Sequence, residues 1–217
     1  MRKQLLKFPK LTGPLRAYYN KYFGEKEIHY FFKKYKKYKN KYIFYDVGAN
    51  YGIFTFLFGR LSLLTISFDP IKECIEYIKR GYIYENILLV NQAVLDEETT
   101  LKINIPVEGN EKIFGKSSIS NQFDYSETRS IQTVTLDQYL EDIKKLNPEK
   151  LFIKIDVEGS EYNVINGGTN TLSSFDTTLL IEIEKRHNKN YLKVFTKLKS
   201  LNYEAFCLIN NDLKLLS

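Results

Sequence analysis

The sequence predicts an α/β fold built on a doubly wound, mostly parallel sheet. Three observations carry this expectation. Short apolar runs alternate with helical patterns along most of the chain. Several of those runs end in an acid, at Asp46, at Asp69, at Asp156 and at Glu182 or Glu184. The first run opens into Gly-Ala-Asn-Tyr-Gly (48–52), a turn with little side-chain bulk before a helical pattern. Core strands rarely carry ionised groups, because an unpaired buried charge is costly. Acids collected at strand ends therefore mark a site, and in an open parallel sheet ligands bind beyond that edge.

The elements follow in order. Residues 1–41 read as a basic helical N-terminal extension, punctuated by Gly13-Pro14 and Gly24, and residues 42–217 as one domain. Within 30–42, YFFKKYKKYKNKY, six lysines fall between Lys33 and Lys41, while Phe31, Tyr35, Tyr38 and Tyr42 recur every three or four residues. That spacing gives a helix with one aromatic face and one lysine face. The lysine face is either a solvated surface or a landing site for an anionic partner: polysaccharide, lipid headgroup or nucleic acid.

YIFYDV (42–47) is a buried strand, IFTFLFGRL a helix, and LLTISFD (63–69) a second buried strand. Pro70 opens the next helix, since proline is well tolerated at the first helical position, and Gly81 ends it. NILLVNQAV (86–94) is a third strand. TTLKINIPV (99–107) alternates like an exposed strand, and 108–128 is a long polar loop of the kind that serves function. SIQTVTLDQYL returns to a strand and then a short helix near Thr135. LFIKID is a fourth buried strand, ending in Asp156, and Gly159-Ser160 turns the chain into another helix. TTLLIEIE (177–184) is a fifth strand, KNYLKVFTKLKSL an amphipathic helix, and the segments flanking Asn210-Asn211 form a closing antiparallel hairpin.

Composition narrows the function. The 217 residues are enough for a real core, and 43% hydrophobic with 27% charged residues suits a soluble globular chain. The opening MRKQLLKFPKL breaks its apolar run with Lys and Pro, unlike a signal peptide, and no run is long enough to cross a bilayer. Cys74 and Cys207 are the only cysteines, so no disulfide framework or zinc spacing is expected, which fits a cytoplasmic protein.

The glycine spacing is G-x-x-x-G, not the dinucleotide fingerprint, and no lysine follows as in a P-loop, so a pyrophosphate is not expected on the turn. Asp69 lies 23 residues after Asp46, at the end of the next strand, where an acid binds ribose hydroxyls in nucleoside-binding folds. A nucleoside without a pyrophosphate is implied. S-adenosylmethionine fits, because its cationic sulfonium suits an acidic strand edge.

DVGANYGIFT, SFDP, NQAV, TVTLDQYL and above all IKIDVEGSEYNVINGG resemble the FkbM-type S-adenosylmethionine-dependent methyltransferases, in order and from about Tyr42 to Glu184. The resemblance implies a Rossmann-like class I methyltransferase with a seven-strand sheet, and O-methylation, often of sugar hydroxyls in glycans. Carried over by position, it implies that Asp46, Gly48, Asn50 and Gly52 line the methionine end of the cofactor. Asp69 would hold the ribose, where the family more often has Glu, and Gln92 and Ala93 would lie near the adenine. Asp156 and Glu158 would face the transfer site. It says nothing of the acceptor.

A sugar hydroxyl is a poor nucleophile and needs help in losing its proton. Candidate groups are Asp156, Glu158, Glu182, Glu184 and His187, with Asp156 preferred as base or orienter. His187 has a suitable intrinsic pKa but also reads as an exposed loop residue. A divalent cation on Asp156 and Glu182 is compatible with carboxylate chemistry. Lys154, two residues before Asp156, points to the same strand face and can neutralise it. Two competing functions are a nucleic-acid methyltransferase using the lysine helix and a non-catalytic nucleoside-binding module. The first lacks the Asn/Asp-Pro-Pro-aromatic motif of amino-methylating enzymes, and the intact acids and glycines speak against the second.

Overall fold

YIFYDV becomes the central strand β1 (Tyr42–Val47), with all six residues buried. The structure, a computed structural model, describes residues 9–23, 26–81, 84–109, 111–119, 123–184, 191–210 and 212–216. On one side β1 pairs with β2 (Leu64–Phe68), which pairs with β3 (Ile87–Val90). On the other it pairs with β8 (Lys150–Ile155), which pairs with β9 (Thr177–Ile181). All four pairings are parallel, and the order β3-β2-β1-β8-β9 reverses direction between β1 and β8. That switch point leaves a crevice at the carboxyl ends of the two strands.

Alternation along β1 divides the core into two layers. Ile43, Tyr45 and Val47 join Ile66, Phe68, Ile153 and Ile155 under α5 (Leu140–Lys145), α6 (Glu161–Asn166) and α7 (Tyr191–Ser200). Tyr42, Phe44 and Phe152 face the other way. They meet aromatic residues of α2 (Lys26–Lys36) and of α3 (Ile53–Phe58), together with Ala17 of α1 (Pro9–Phe23) and Tyr77 of α4 (Lys72–Gly81). The aromatic face of α2 is thus a core face. Tyr35 stacks on Phe152 with centroids 4.4 Å apart, and Phe31 does so at 5.2 Å. Helix α1 is tied to α4 by Thr12 Oγ1 and the Tyr77 hydroxyl, 2.8 Å apart. The N-terminal helices therefore share one core with the sheet.

A second, four-stranded sheet grows out of the first. Its order is β4 (Ala93–Val94), β7 (Ser126–Val134), β5 (Thr100–Glu108) and β6 (Glu111–Lys112). The expected single strand over 86–94 is broken between β3 and β4. Asn91 Nδ2 donates to the Asp69 carbonyl at 3.0 Å, and the chain then leaves the first sheet to pair with β7. The polar stretch 108–128 is shorter as a loop than its composition implies, because β5 runs to Glu108 and β7 begins at Ser126. Pro70 precedes its helix instead of opening it: the Ile71 amide donates to Asp69 Oδ1 at 2.8 Å, and the helix begins at Lys72.

The described residues give five parallel strands where the family resemblance implied seven. β10 (Phe206–Ile209) and β11 (Asp212–Leu215) form the expected hairpin but pair only with each other among the described residues. The residue pattern itself marks five inner strands and a hairpin. The hairpin buries too little apolar surface to be drawn into the sheet, with Phe206, Ile209, Leu213 and Leu215 all exposed.

Candidate active site

The register of the sheet assembles the site. Asp46 sits opposite Ser67 on β2 and Lys154 on β8, one residue before the strand ends. The Asp46 carboxylate is buried and accepts a 2.6 Å bond from Thr55 Oγ1, while its Oδ1 lies 3.9 Å from Lys154 Nζ. Lys154 Nζ also donates to the Gly48 carbonyl at 2.8 Å and lies 3.2 Å from Asp156 Oδ2. One buried ammonium thus links two strand-end acids and the glycine turn. Burial opposes its charge, but Asp156 and Asp46 outweigh that and hold the Lys154 pKa above its usual value. The Asp46 pKa is also raised, but here desolvation is the cause and outweighs Lys154 and Thr55.

Gly48 has φ of +75° and lies against β8. A Cβ there would stand 1.9 Å from the Asp156 carbonyl oxygen. The glycine is required first by this backbone approach, before any ligand is considered.

Asp69 holds the turn from the other side. Its Oδ2 accepts from the Asn50 amide at 2.7 Å and its Oδ1 from Ile71, which fixes the carboxylate at the rim of the crevice. Burial pushes its pKa up to about 6, against the opposing pull of those two amides.

Two adjoining cavities open here. The narrower, of about 70 Å³, is lined by Gly48, Asn50, Asp69, Gln92, Ala93, Asp156 and Glu158, and by Phe114, Gly115, Ser117 and Ile119. The wider, of about 400 Å³, is lined by Gly48, Asn50, Tyr51, Phe54, Lys154, Asp156 and Glu182, and by Arg16, Asn20 and Glu27 of the N-terminal helices. Gly48, Asn50 and Asp156 belong to both.

The strand-end acids expected to converge do so, in distinct places. Asp69, Gln92, Ala93 and Glu158 face the narrow cavity, Glu182 faces the wide one, and Asp156 stands between. Asp46 and Gly52 line neither: Asp46 lies beneath the turn, and Gly52 is pressed against Ile78. His187 lies outside the described residues. Among the described residues no group of three or more His, Cys, Asp or Glu side chains gathers to hold a metal. The divalent cation expected on Asp156 and Glu182 gains no support, and Lys154 already neutralises Asp156. Sequence reasoning missed Arg16, Asn20 and Glu27, and also the 113–119 segment, whose signal was an overlong polar loop with Gly115-Lys116-Ser117-Ser118 inside it. No described helix is long and apolar enough to cross a membrane.

Comparison with known proteins bears on the family and the fold. The family model described as the methyltransferase FkbM domain matches residues 46–205. A solved structure of methyltransferase FkbM from Methylobacillus flagellatus KT superposes with a TM-score of 0.51 at 16% identity, over 98% of this chain and 56% of that one. At that identity the likeness is one of fold, and the chain spans little more than half the length of the protein it resembles. No curated protein sequence matches the chain.

Proposed function

The chain belongs to the FkbM methyltransferase family, and from that premise we propose that it transfers a methyl group from S-adenosylmethionine to a hydroxyl of a sugar in a glycan or glycoconjugate. The observation that carries this reading is the pair of cavities meeting at Gly48, Asn50 and Asp156, one flanked by a ribose-type acid and the other by mixed polar and aromatic residues.

The residues of the narrow cavity fit the cofactor. Asp69 is anchored by two amides and still has acceptor capacity for ribose hydroxyls. Gln92 and Ala93 follow the third strand, where the adenine would lie, and the backbone of Gly48 and Asn50 would meet the methionine end. Asp46 would act through Lys154 and the turn instead of touching the cofactor. When bound, the cofactor supplies a methyl carbon on a positively charged sulfur, which leaves as a neutral thioether.

The acceptor would occupy the wider cavity. Arg16, Asn20, Glu27 and Glu182 offer donors and acceptors suited to a polyhydroxyl ring, and Tyr51 and Phe54 offer apolar faces. Asp156 stands where the two cavities join. Its Oδ2 is held by Lys154 at 3.2 Å, and its other oxygen has no partner among the described residues. That oxygen would accept the hydroxyl proton as the O–C bond forms and the C–S bond breaks. Alignment of acceptor oxygen, carbon and sulfur in one line is the larger contribution, and the rigid strand ends would supply it.

Calorimetry tests the cofactor half. The full chain is expected to bind S-adenosylmethionine in the micromolar range, and Asp69→Ala to bind it at least tenfold more weakly. Transfer of labelled methyl to a glycan fraction tests the acceptor half, with Asp156→Asn expected to lower kcat by about a hundredfold or more. A chain that binds no S-adenosylmethionine does not carry out this reaction.

A further inference from the structure

The roof of the narrow cavity comes from neither strand ends nor the glycine turn. Residues 113–119 leave the β5–β6 hairpin, and the 3₁₀ turn Phe114–Lys116 brings Phe114, Gly115, Ser117 and Ile119 over the crevice. The segment is anchored at both ends. The Ile113 amide donates to the Pro106 carbonyl at 2.9 Å, and Ser118 forms a backbone bridge with Asn104. Ser118 Oγ donates to the Glu158 carbonyl at 2.8 Å, joining the segment to the loop that follows β8. That loop is itself constrained, since Glu158 takes φ of +51°, a conformation few side chains adopt. Arg129 lies over the Phe114 ring at 5.9 Å and grips Glu73 with two bonds of 2.7 and 2.8 Å.

Within this anchored strap one polar atom has no use in the unliganded protein. Ser117 lines the cavity, and its Oγ is shut off from solvent with no hydrogen-bond partner among the described residues. Buried hydroxyls are nearly always partnered, because the lost hydration is otherwise uncompensated. The cavity below it, at about 70 Å³, is also far smaller than the roughly 300 Å³ at the low end for ligand sites. With the roof in this position the cavity encloses only part of a nucleoside.

We propose that residues 113–119 form a strap that opens to admit the nucleoside cofactor and closes over it, with Ser117 Oγ hydrogen-bonded to a polar atom of the bound cofactor. This rests on the S-adenosylmethionine reading above. The missing partner of Ser117 is then the ligand, and the anchors at Ile113 and Ser118 return the strap to one closed position. The unliganded protein carries an unmet hydroxyl whose penalty is relieved on binding.

Isothermal titration of S-adenosylhomocysteine into the full chain and into Ser117→Ala, with thermal unfolding of both without ligand, tests the assignment. The variant is expected to bind about tenfold more weakly, the loss for one neutral hydrogen bond. Its unliganded Tm should equal or exceed that of the parent, because the substitution removes an unsatisfied polar group. Equal affinity overturns the role of Ser117, and so does weaker binding with a parallel fall in unliganded Tm, which would make the residue structural. Absence of binding by the parent chain sinks the cofactor reading itself. Closure is tested by limited trypsinolysis: S-adenosylhomocysteine should slow cleavage after Lys116, which is exposed on the strap, and leave cleavage at Lys144 and Lys145 of α5 unchanged. Cleavage after Lys116 at the same rate with and without ligand overturns the strap.

Discussion

Asp69 would couple folding to the proposed cofactor binding through a single carboxyl. Its carboxyl is buried, so the protonated form is favoured up to pH about 6, against an ordinary value of 3.8. The folded protein therefore binds this proton more readily than the unfolded chain between those values. Considered alone, Asp69 makes the unliganded protein more stable as pH falls through that window, and the gain is absent above pH 6. The proposed ribose recognition would run the other way, because only the ionised carboxylate leaves both oxygens as acceptors. The dissociation constant for S-adenosylhomocysteine is expected to rise as pH falls from 7 to 5, by several-fold, and calorimetry at fixed ionic strength checks it. A flat profile would mean that the charge on Asp69 takes no part in binding. The acid at position 69 is legible in the sequence, at the end of an apolar run. The Asn50 and Ile71 amides that hold it are not, because they come from neighbouring turns. Lys154 and Asp46 differ in a similar way. The sequence places an acid at the end of β1, but only the parallel register sets it opposite Lys154 and under the turn instead of in either cavity.

At the scale of the element, helix α2 separates its two faces by energy. Tyr35 is fully buried against Tyr42, Phe58 and Phe152, so Tyr35→Ala should cost about 3 to 5 kcal/mol in chemical denaturation. Lys33, Lys36 and Lys37 are exposed, and Lys34 is half-buried near Thr178. Replacing the four lysines with Gln should change stability by under about 1 kcal/mol and leave cofactor affinity intact. Turnover of an anionic polymeric acceptor should fall, and an unchanged rate would reduce the lysine face to a solvated surface. The periodicity of aromatics and lysines makes the two faces readable from sequence but not the helix end, which falls at Lys36, so that Tyr38 lies beyond it and Tyr42 opens β1. The boundary of the 108–128 loop is less readable, because β5 and β7 are fixed by pairing with each other and not by local propensity.

For the whole molecule, the question is whether the N-terminal helices are an appendage. Ala17, Ile28, Phe31, Phe32 and Tyr35 form one cluster with Phe44, Phe58 and Phe152, so this face of the sheet is not fully covered without them. A chain of residues 42–217 should expose that aromatic surface, and its Tm should fall by more than about 10 °C or the protein should aggregate. A truncated chain that unfolds cooperatively at the parental temperature would show that the helices contribute only to the lining of the wider cavity. Composition hints at an extension, since 1–41 is basic and punctuated by glycines, but nothing local reveals which face of the sheet it covers.

By itself the sequence determined the alternation of strands and helices, the acids at strand ends and the family to which the chain is related, because these depend on local periodicity and on short contiguous motifs. Tertiary structure alone decided which acids meet a cavity, which lies beneath it, and that Arg16, Asn20, Glu27 and Ser117 stand beside them. The physical reason is distance along the chain. Residues separated by more than a hundred positions become neighbours only when parallel register and helix packing are settled, and no local preference encodes that.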